Sequence, residues 1–159
     1  MQLIVNGIHE ESASHIAEVL NRTSIVSALW LSGNPIGDKG LQTIFGAIKQ
    51  NNSLKFLSVA LCEMTDTGVA SLADALHINT NNTLETLYIY GNDALTENGL
   101  TCLVKVLSSN SGLVTLVLPS HLRSSVDKMK KTINEARKRS GLVAIEVWGK
   151  YSKRCDCFH

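Results

Sequence analysis

Histidine, cysteine and acidic side chains are the residues of this sequence that could carry out chemistry, yet their spacing assembles no catalytic site. Four of the five histidines are scattered along the chain, at His9, His15, His77 and His121. A hydrolytic site needs a nucleophile, a base and an orienting group within hydrogen-bonding reach of one another. No segment matches the nucleotide-binding pattern GxxxxGK[ST]. The sequence therefore predicts a noncatalytic protein without a cofactor.

The cysteines indicate neither a disulfide framework nor a metal site. Four cysteines, Cys62, Cys102, Cys155 and Cys157, are too few and too unevenly spread to staple a chain of 159 residues. The last two form CDCFH with His159, but metal sites prefer CxxC-type spacing and a fourth ligand. We predict a basic, cysteine-containing tail over residues 150–159 that binds no metal, and a reducing, cytoplasmic compartment.

Charge is distributed unevenly along the chain, although its formal net value is only +1. Residues 1–120 hold five Lys/Arg and ten Asp/Glu, whereas residues 121–159 hold ten and four. Many of these basic residues fall in one predicted helix, SSVDKMKKTINEARKRS. We expect its lysines and arginines, Arg137 included, on a solvated face. Nucleic acid or an anionic membrane is the alternative partner for that face.

Targeting and membrane signals are not found in the sequence. The longest apolar runs fall short of the ~20 residues of a membrane span. The opening MQLIVNGI has neither a basic region nor a small-residue cleavage site. We therefore expect a soluble protein that is not exported.

The elements that position all these residues come from a repeat with a period of 28 residues. One copy contains Val26, Leu29, Leu31, Asn34, Ile36, Gly40, Ile44 and Ile48. The next copy has, in phase, Leu54, Leu57, Val59, Cys62, Met64, Gly68, Leu72 and Leu76. A third begins at Leu84, and two weaker copies keep Leu113, Leu116 and Leu118, then Leu142, Ile145 and Val147. A degenerate copy comes first and includes Leu3, Asn6 and Ile8.

Each copy contains one strand and one helix. The alternating LxL is typical of a strand, and the leucines and isoleucines that follow recur at helical spacing. Neither element can bury its apolar side alone, so neighbouring copies must stack. The sequence predicts an α/β solenoid of about five units over residues 1–149, closed by a strand at residues 142–148.

The segments VSALWLSGNPIGDKGLQTIFGAIKQNNSL, LKFLSVALCEMTDTGVASLADAL and LETLYIYGNDALTENGLTCLVKVL resemble the leucine-rich repeat family of the ribonuclease-inhibitor-like subclass. Within that subclass they look most like the C-terminal repeats of NOD-like receptors. The resemblance implies a curved solenoid with parallel strands on the concave face and helices on the convex face. It also implies a noncatalytic ligand-sensing or regulatory domain in innate immunity, joined to flanking domains of a larger protein.

Asn34 and Asn92, with Cys62 in register, follow three of the predicted strands. A polar side chain that points inward there can satisfy backbone groups that the turn leaves unpaired. We therefore predict a structural ladder of side chains rather than a catalytic one.

Strand alternation turns a second set of residues toward the concave face, because Leu29 and Leu31 face the core. Five of the eight aromatic residues fall in this set. Large flat side chains also favour strands, so mere coverage of the sheet is the alternative. Neighbouring strands lie ~4.8 Å apart, which predicts a row of Trp30, Ser58, Tyr88, Val117 and Glu146 about 20 Å long. The predicted site for a protein or peptide partner comprises Trp30, Phe56, Ser58, Tyr88, Tyr90, Val117, Glu146 and Trp148.

Two other functions share the same scaffold. One is activation of a GTPase, because Ran GTPase-activating proteins carry this repeat subclass. Their function depends on an arginine near the start of the array, for which Arg22 alone is a poor candidate, and their acidic tail is replaced here by a basic end. The other is inhibition of an enzyme by wrapping it, as ribonuclease inhibitors do. Accelerated GTP hydrolysis or lost ribonuclease activity on adding the chain distinguishes these two alternatives.

Overall fold

The computed structural model describes residues 1–77 and 83–148, in which strands and helices alternate as the repeat predicts. The strands are β1 (Ala28–Trp30), β2 (Phe56–Ser58), β3 (Thr86–Tyr88), β4 (Thr115–Val117) and β5 (Glu146–Trp148). The helices are α1 (Ala13–Arg22), α2 (Gly37–Ile48), α3 (Asp66–Ala75), α4 (Glu97–Leu107) and α5 (Arg123–Arg139). Short 3-10 turns at Glu10–Ser12 and Ser120–Leu122 precede α1 and α5.

The strands form one parallel sheet in the order β1-β2-β3-β4-β5. In its central row Leu29 pairs with Leu57, followed by Leu87, Leu116 and Val147. The degenerate first copy extends the sheet through a parallel bridge between Gln2 and Trp30. The arrangement confirms the predicted α/β solenoid.

The core lies between the sheet and the layer of helices. Leucines of the central row are fully buried, as are Leu41, Ile44 and Leu72 on the helices that pack behind them. Burial of this kind stabilises each copy only through its neighbours, since the leucines of one copy cover those of the next. In the part of the chain that the structure describes, no helix has the length and apolar content needed to cross a membrane.

Carboxylates connect successive helices at their amino-terminal ends. Asp38 accepts hydrogen bonds from the amide (2.8 Å) and hydroxyl (2.5 Å) of Thr65, which precedes α3. Asp66 binds Thr96, which precedes α4, with the same two distances. The repeated glycine makes room for this contact, because a Cβ at Gly68 would lie 2.4 Å from Asp38 Oδ1. The repeated DxG spacing therefore joins neighbouring copies.

The register of β5 differs from the predicted one by two residues. Val117 pairs with Trp148, and Glu146 pairs with Thr115, so Trp148 rather than Glu146 completes the row. The shift has a physical cause in α5, where the Asn134 side chain binds both the amide (2.8 Å) and the carbonyl (3.1 Å) of Ile145. The closing strand is also shorter than predicted, since it covers Glu146–Trp148 and not residues 142–148.

Helix α5 forms where the sequence predicts it, but Arg137 is not on its solvated face. Lys128 and Lys131 are exposed, as expected, whereas the Arg137 side chain is fully buried. Its guanidinium donates to three backbone carbonyls. These carbonyls, at the end of α4 and just before β5, therefore bind the guanidinium instead of water. The predicted tail at residues 150–159, with Cys155 and Cys157, lies outside the described residues.

Candidate functional site

Three rings pack against one another on the concave face and form what we call the aromatic cluster, made of Trp30, Phe56 and Tyr88. The ring centroids of Trp30 and Phe56 lie 4.0 Å apart, and those of Phe56 and Tyr88 lie 5.1 Å apart in an edge-to-face arrangement. Trp30 and Tyr88 meet edge to face at 6.4 Å. All three side chains are half-buried. The cluster therefore combines mutual packing with an accessible apolar surface.

The small residue Ser58 explains why rings on alternate strands can meet. It lies between Trp30 and Tyr88 in the strand register and is fully buried. Its hydroxyl lies 2.6 Å from that of Ser32, so the two serines satisfy each other beneath the rings. Ser58, predicted as a contact residue, forms the floor of the surface instead.

Tyr90 and Val117 form a second part of this floor. With Ala60 they make a buried group against which Tyr88 packs. Tyr90 is 8% exposed and Val117 is 6% exposed. Their contribution to binding would consist in supporting Tyr88, because a partner cannot reach most of their surface.

Glu146 and Trp148 lie at the other end of the face, on β5, and both are exposed. Trp148 is 44% exposed and carries the ammonium of Lys130 5.8 Å from its ring centroid, within the range of a cation–π interaction. Val117 separates Trp148 from Tyr88 in the register. The structure thus groups Trp30, Phe56, Tyr88 and Tyr90, and places Glu146 and Trp148 apart from them.

The predicted asparagine ladder is confirmed. Asn34 Oδ1 accepts from the amides of Asn6 (2.8 Å) and Ile8 (3.1 Å), and its Nδ2 donates to the carbonyls of Leu3 and Leu31, both at 2.7 Å. Asn92 repeats the pattern with the amides of Cys62 and Met64 and the carbonyls of Val59 and Ile89. Each ladder residue thus joins the loops of two neighbouring copies and fixes the edge of the concave face.

A second ladder, at the carboxyl-terminal ends of the helices, was missed by sequence reasoning. Asn51 Nδ2 donates to the carbonyl of Leu20 (2.8 Å), and Asn110 Nδ2 donates to that of Leu76 (2.9 Å). Arg137 occupies the next position of this ladder, because its Nη1 donates to the carbonyl of Leu107 at the end of α4. The NNS and SSN groups that end the helical patterns were the available signal for the two asparagines. In the last copy an arginine stands where the earlier copies have asparagine, so the repeat pattern does not predict that Arg137 belongs to this ladder.

Cys62 occupies the ladder position of the copy between Asn34 and Asn92. Its sulfur lies 3.3 Å from the carbonyl oxygens of both Leu31 and Ala60, which share the single thiol proton as acceptors. Burial raises the pKa of this thiol from 9.0 to about 12, although the nearby amides of Asn34 and Gly33 oppose that change. A thiol held protonated in this way is a poor nucleophile.

This raised pKa predicts a loss of stability in alkaline solution. Above pH ~9 the unfolded chain releases the Cys62 proton while the folded chain keeps it, so stability falls as the pH rises toward the folded pKa. The expected slope is about 1.4 kcal/mol per pH unit. Urea unfolding from pH 8 to about 10.5, compared with a Cys62→Ala variant, isolates this group from lysines and tyrosines. Parallel pH dependences of the two proteins would contradict the assignment.

Other chemically active groups do not converge on a site. Within residues 1–77 and 83–148, no three His, Cys, Asp or Glu side chains are placed to hold a metal ion. His121 Nε2 lies 2.8 Å from the carbonyl of Leu95, and its Nδ1 lies 3.8 Å from Asp93. This histidine therefore fastens the start of α5 to the preceding loop.

Comparisons with known proteins agree with the repeat pattern. The model of the leucine-rich repeat family matches residues 26–45 and 50–73. NACHT, LRR and PYD domains-containing protein 4C of Mus musculus is 36% identical over 81 residues, which cover 50% of this chain and 8% of that protein. Ribonuclease inhibitor of Mus musculus is 33% identical over 69 residues, which cover 43% of this chain and 15% of that protein. The chain thus matches only a small part of each relative's length.

A solved structure extends the similarity of fold over most of the chain. The protein described as Leiomodin-1 Actin-Binding Site 2 superposes with a TM-score of 0.71 and covers 89% of this chain and 83% of its own. Sequence identity between the two is 18%. At that identity the likeness concerns the fold and carries no function.

Proposed function

We propose that this chain, built of leucine-rich repeats of the ribonuclease-inhibitor-like type, uses the concave face of these repeats to bind a protein or peptide. The observation that carries the proposal is the aromatic cluster, three rings on the concave face that pack against one another and are only half-buried. Aromatic side chains offer rigid contact area and are enriched among residues that dominate binding energy.

We assign this recognition to a ligand-sensing or regulatory repeat domain of a NOD-like-receptor type protein, acting in innate immunity in the cytoplasm without catalysis. The support is the similarity to NACHT, LRR and PYD domains-containing protein 4C, together with the loop pattern of the repeats. Such a domain would work within a larger protein, whose other parts would respond to what the concave face binds.

The test compares the natural chain with a Trp30→Ala/Tyr88→Ala variant in a pull-down from cell lysate, read by mass spectrometry. We expect a partner recovered with the natural chain to decrease about tenfold or more with the variant, because the variant removes two of the three rings. Recovery of the same proteins at equal levels would contradict binding by the concave face.

Folding of the variant must be checked alongside, because the three rings also pack against one another. Each aromatic pair contributes about 0.5–1.5 kcal/mol beyond its buried area, so a lowered Tm is expected while the far-UV circular dichroism stays native. Val114→Ala is the matched control, since Val114 is 40% exposed just before β4 and outside the aromatic cluster. This control should retain every partner of the natural chain.

Inhibition of an enzyme is the second candidate function, and the similarity to ribonuclease inhibitor favours it. It uses the same concave face, so a ribonuclease titrated with the chain would lose activity if this function is correct. GTPase activation lacks comparable support. Arg22 lies at the end of α1, where its guanidinium pairs with Glu18 at 3.1 Å.

A further inference from the structure

Leu61 holds a backbone conformation that normally belongs to glycine. Its φ is 55°, and the equivalent residues of the neighbouring copies are Gly33 (φ 74°) and Gly91 (φ 69°). A side chain in this left-handed region crowds the backbone and costs stability. Since glycine serves at this position in both neighbours, the fold itself does not require a leucine here.

The Leu61 side chain is also exposed, with 44% of its surface accessible. It lies over Gly91, where a Cβ would come within 2.5 Å of Leu61 Cδ2. The Leu61 amide donates to the carbonyl of Tyr90 at 3.0 Å, and the preceding Ala60 packs with Tyr90 in the floor of the concave face. The strained leucine therefore borders the surface that carries the aromatic cluster.

Two carboxylates lie in the same pair of loops as Leu61 and Gly91. Glu63 is exposed and also has a left-handed backbone, with φ 59°. Asp93 occupies the equivalent position of the next copy, and its side chain is 90% exposed. Among the described residues, neither carboxylate has a Lys or Arg within ion-pair distance, and the nearest basic group to Asp93 is the imidazole of His121, whose Nδ1 lies 3.8 Å from Asp93 Oδ1. Asn92 holds the two loops together, because its Oδ1 accepts from the amides of Cys62 and Met64.

We propose that Leu61, Glu63 and Asp93 form a rim site that extends the aromatic cluster and selects a protein segment carrying a basic residue next to an apolar one. The apolar side chain would contact Leu61 and the aromatic cluster, and the basic residue would meet the two carboxylates. Charge complementarity of this kind gives specificity and orientation. The proposal rests on the function proposed above and names the class of its partner.

Selection of random dodecapeptides from a display library on the immobilised chain tests the rim site. We expect the natural chain to enrich peptides with Lys or Arg beside a large apolar residue. A Leu61→Asn variant should lose this enrichment about tenfold or more without a lower Tm, because asparagine tolerates the left-handed region that strains leucine. Val143→Asn is the matched control, since Val143 is 73% exposed and distant in sequence from the rim, and it should select the natural peptides.

Reversing the charge gives a second variant that does not depend on the strain at Leu61. The double variant Glu63→Lys/Asp93→Lys should select acidic peptides, whereas the natural chain selects basic ones. If Trp30→Ala/Tyr88→Ala abolishes enrichment while the Leu61 and charge-reversed variants select unchanged peptides, the rim site is wrong and the concave face still binds. If the natural chain enriches no peptide, or if Trp30→Ala/Tyr88→Ala selects the same peptides, both proposals are overturned.

Discussion

Replacing Arg137 with alanine is expected to lower the free energy of unfolding by about 3 kcal/mol. The buried guanidinium donates to the carbonyls of Val143 (2.6 Å), Asn110 (2.6 Å) and Leu107 (3.3 Å). Alanine leaves these acceptors without a donor and opens a cavity. Removal of a buried charge offsets part of this loss, because Nη2 has no hydrogen-bond partner among the described residues and burial lowers the pKa of Arg137.

Urea denaturation with a common slope measures this loss, which corresponds to a decrease of about 10 °C in Tm. Arg137→Lys should recover little, since a single ammonium cannot reach carbonyls on both sides as the planar guanidinium does. Arg139→Ala is the control, because Arg139 is exposed at the end of the same helix and should change stability by less than about 0.5 kcal/mol. A similar effect of both substitutions would refute the role of Arg137 as the hydrogen-bond donor to these three carbonyls.

The second large effect is expected at Asn92, where alanine should cost about 3–4 kcal/mol. Asn92 Oδ1 binds the amides of Cys62 (2.9 Å) and Met64 (3.0 Å), and Nδ2 binds the carbonyls of Val59 (3.0 Å) and Ile89 (2.8 Å). Removing the side chain leaves two buried donors unpaired, and an unpaired buried donor costs more than a lost bond.

Thermal and urea unfolding of Asn92→Ala, Asn92→Cys and Asn98→Ala form a graded series. The cysteine variant should lie between the natural chain and the alanine variant, because a thiol can still donate to a carbonyl, as Cys62 does to Leu31. Asn98 is exposed on α4, so its substitution should be nearly neutral. Equal stability of Asn92→Ala and Asn98→Ala would mean that water replaces the ladder.

Much of the candidate site could be predicted because strand alternation is a local property. Trp30, Phe56 and Tyr88 follow from the period-2 pattern, once Leu29 and its equivalents are assigned to the core. Their degree of exposure could not be predicted. Ser58 and Tyr90 share the alternation of the rings, yet neighbouring side chains cover them. Coverage depends on the side chains of adjacent strands, which strand alternation alone does not specify.

The sequence by itself determined the repeat, its strands and helices, the faces they bury and the asparagine ladder, because a 28-residue period imposes one local structure on each copy. The tertiary structure decided the register of β5, the burial of Arg137, and both the left-handed backbone and the solvent exposure of Leu61. Each of these depends on a contact between copies: Asn134 with Ile145, Arg137 with Leu107, and Leu61 with Gly91. Such contacts arise only when the copies stack. The two residues of each contact lie about one repeat apart in the sequence, or in the last copies, where the repeat pattern is weak.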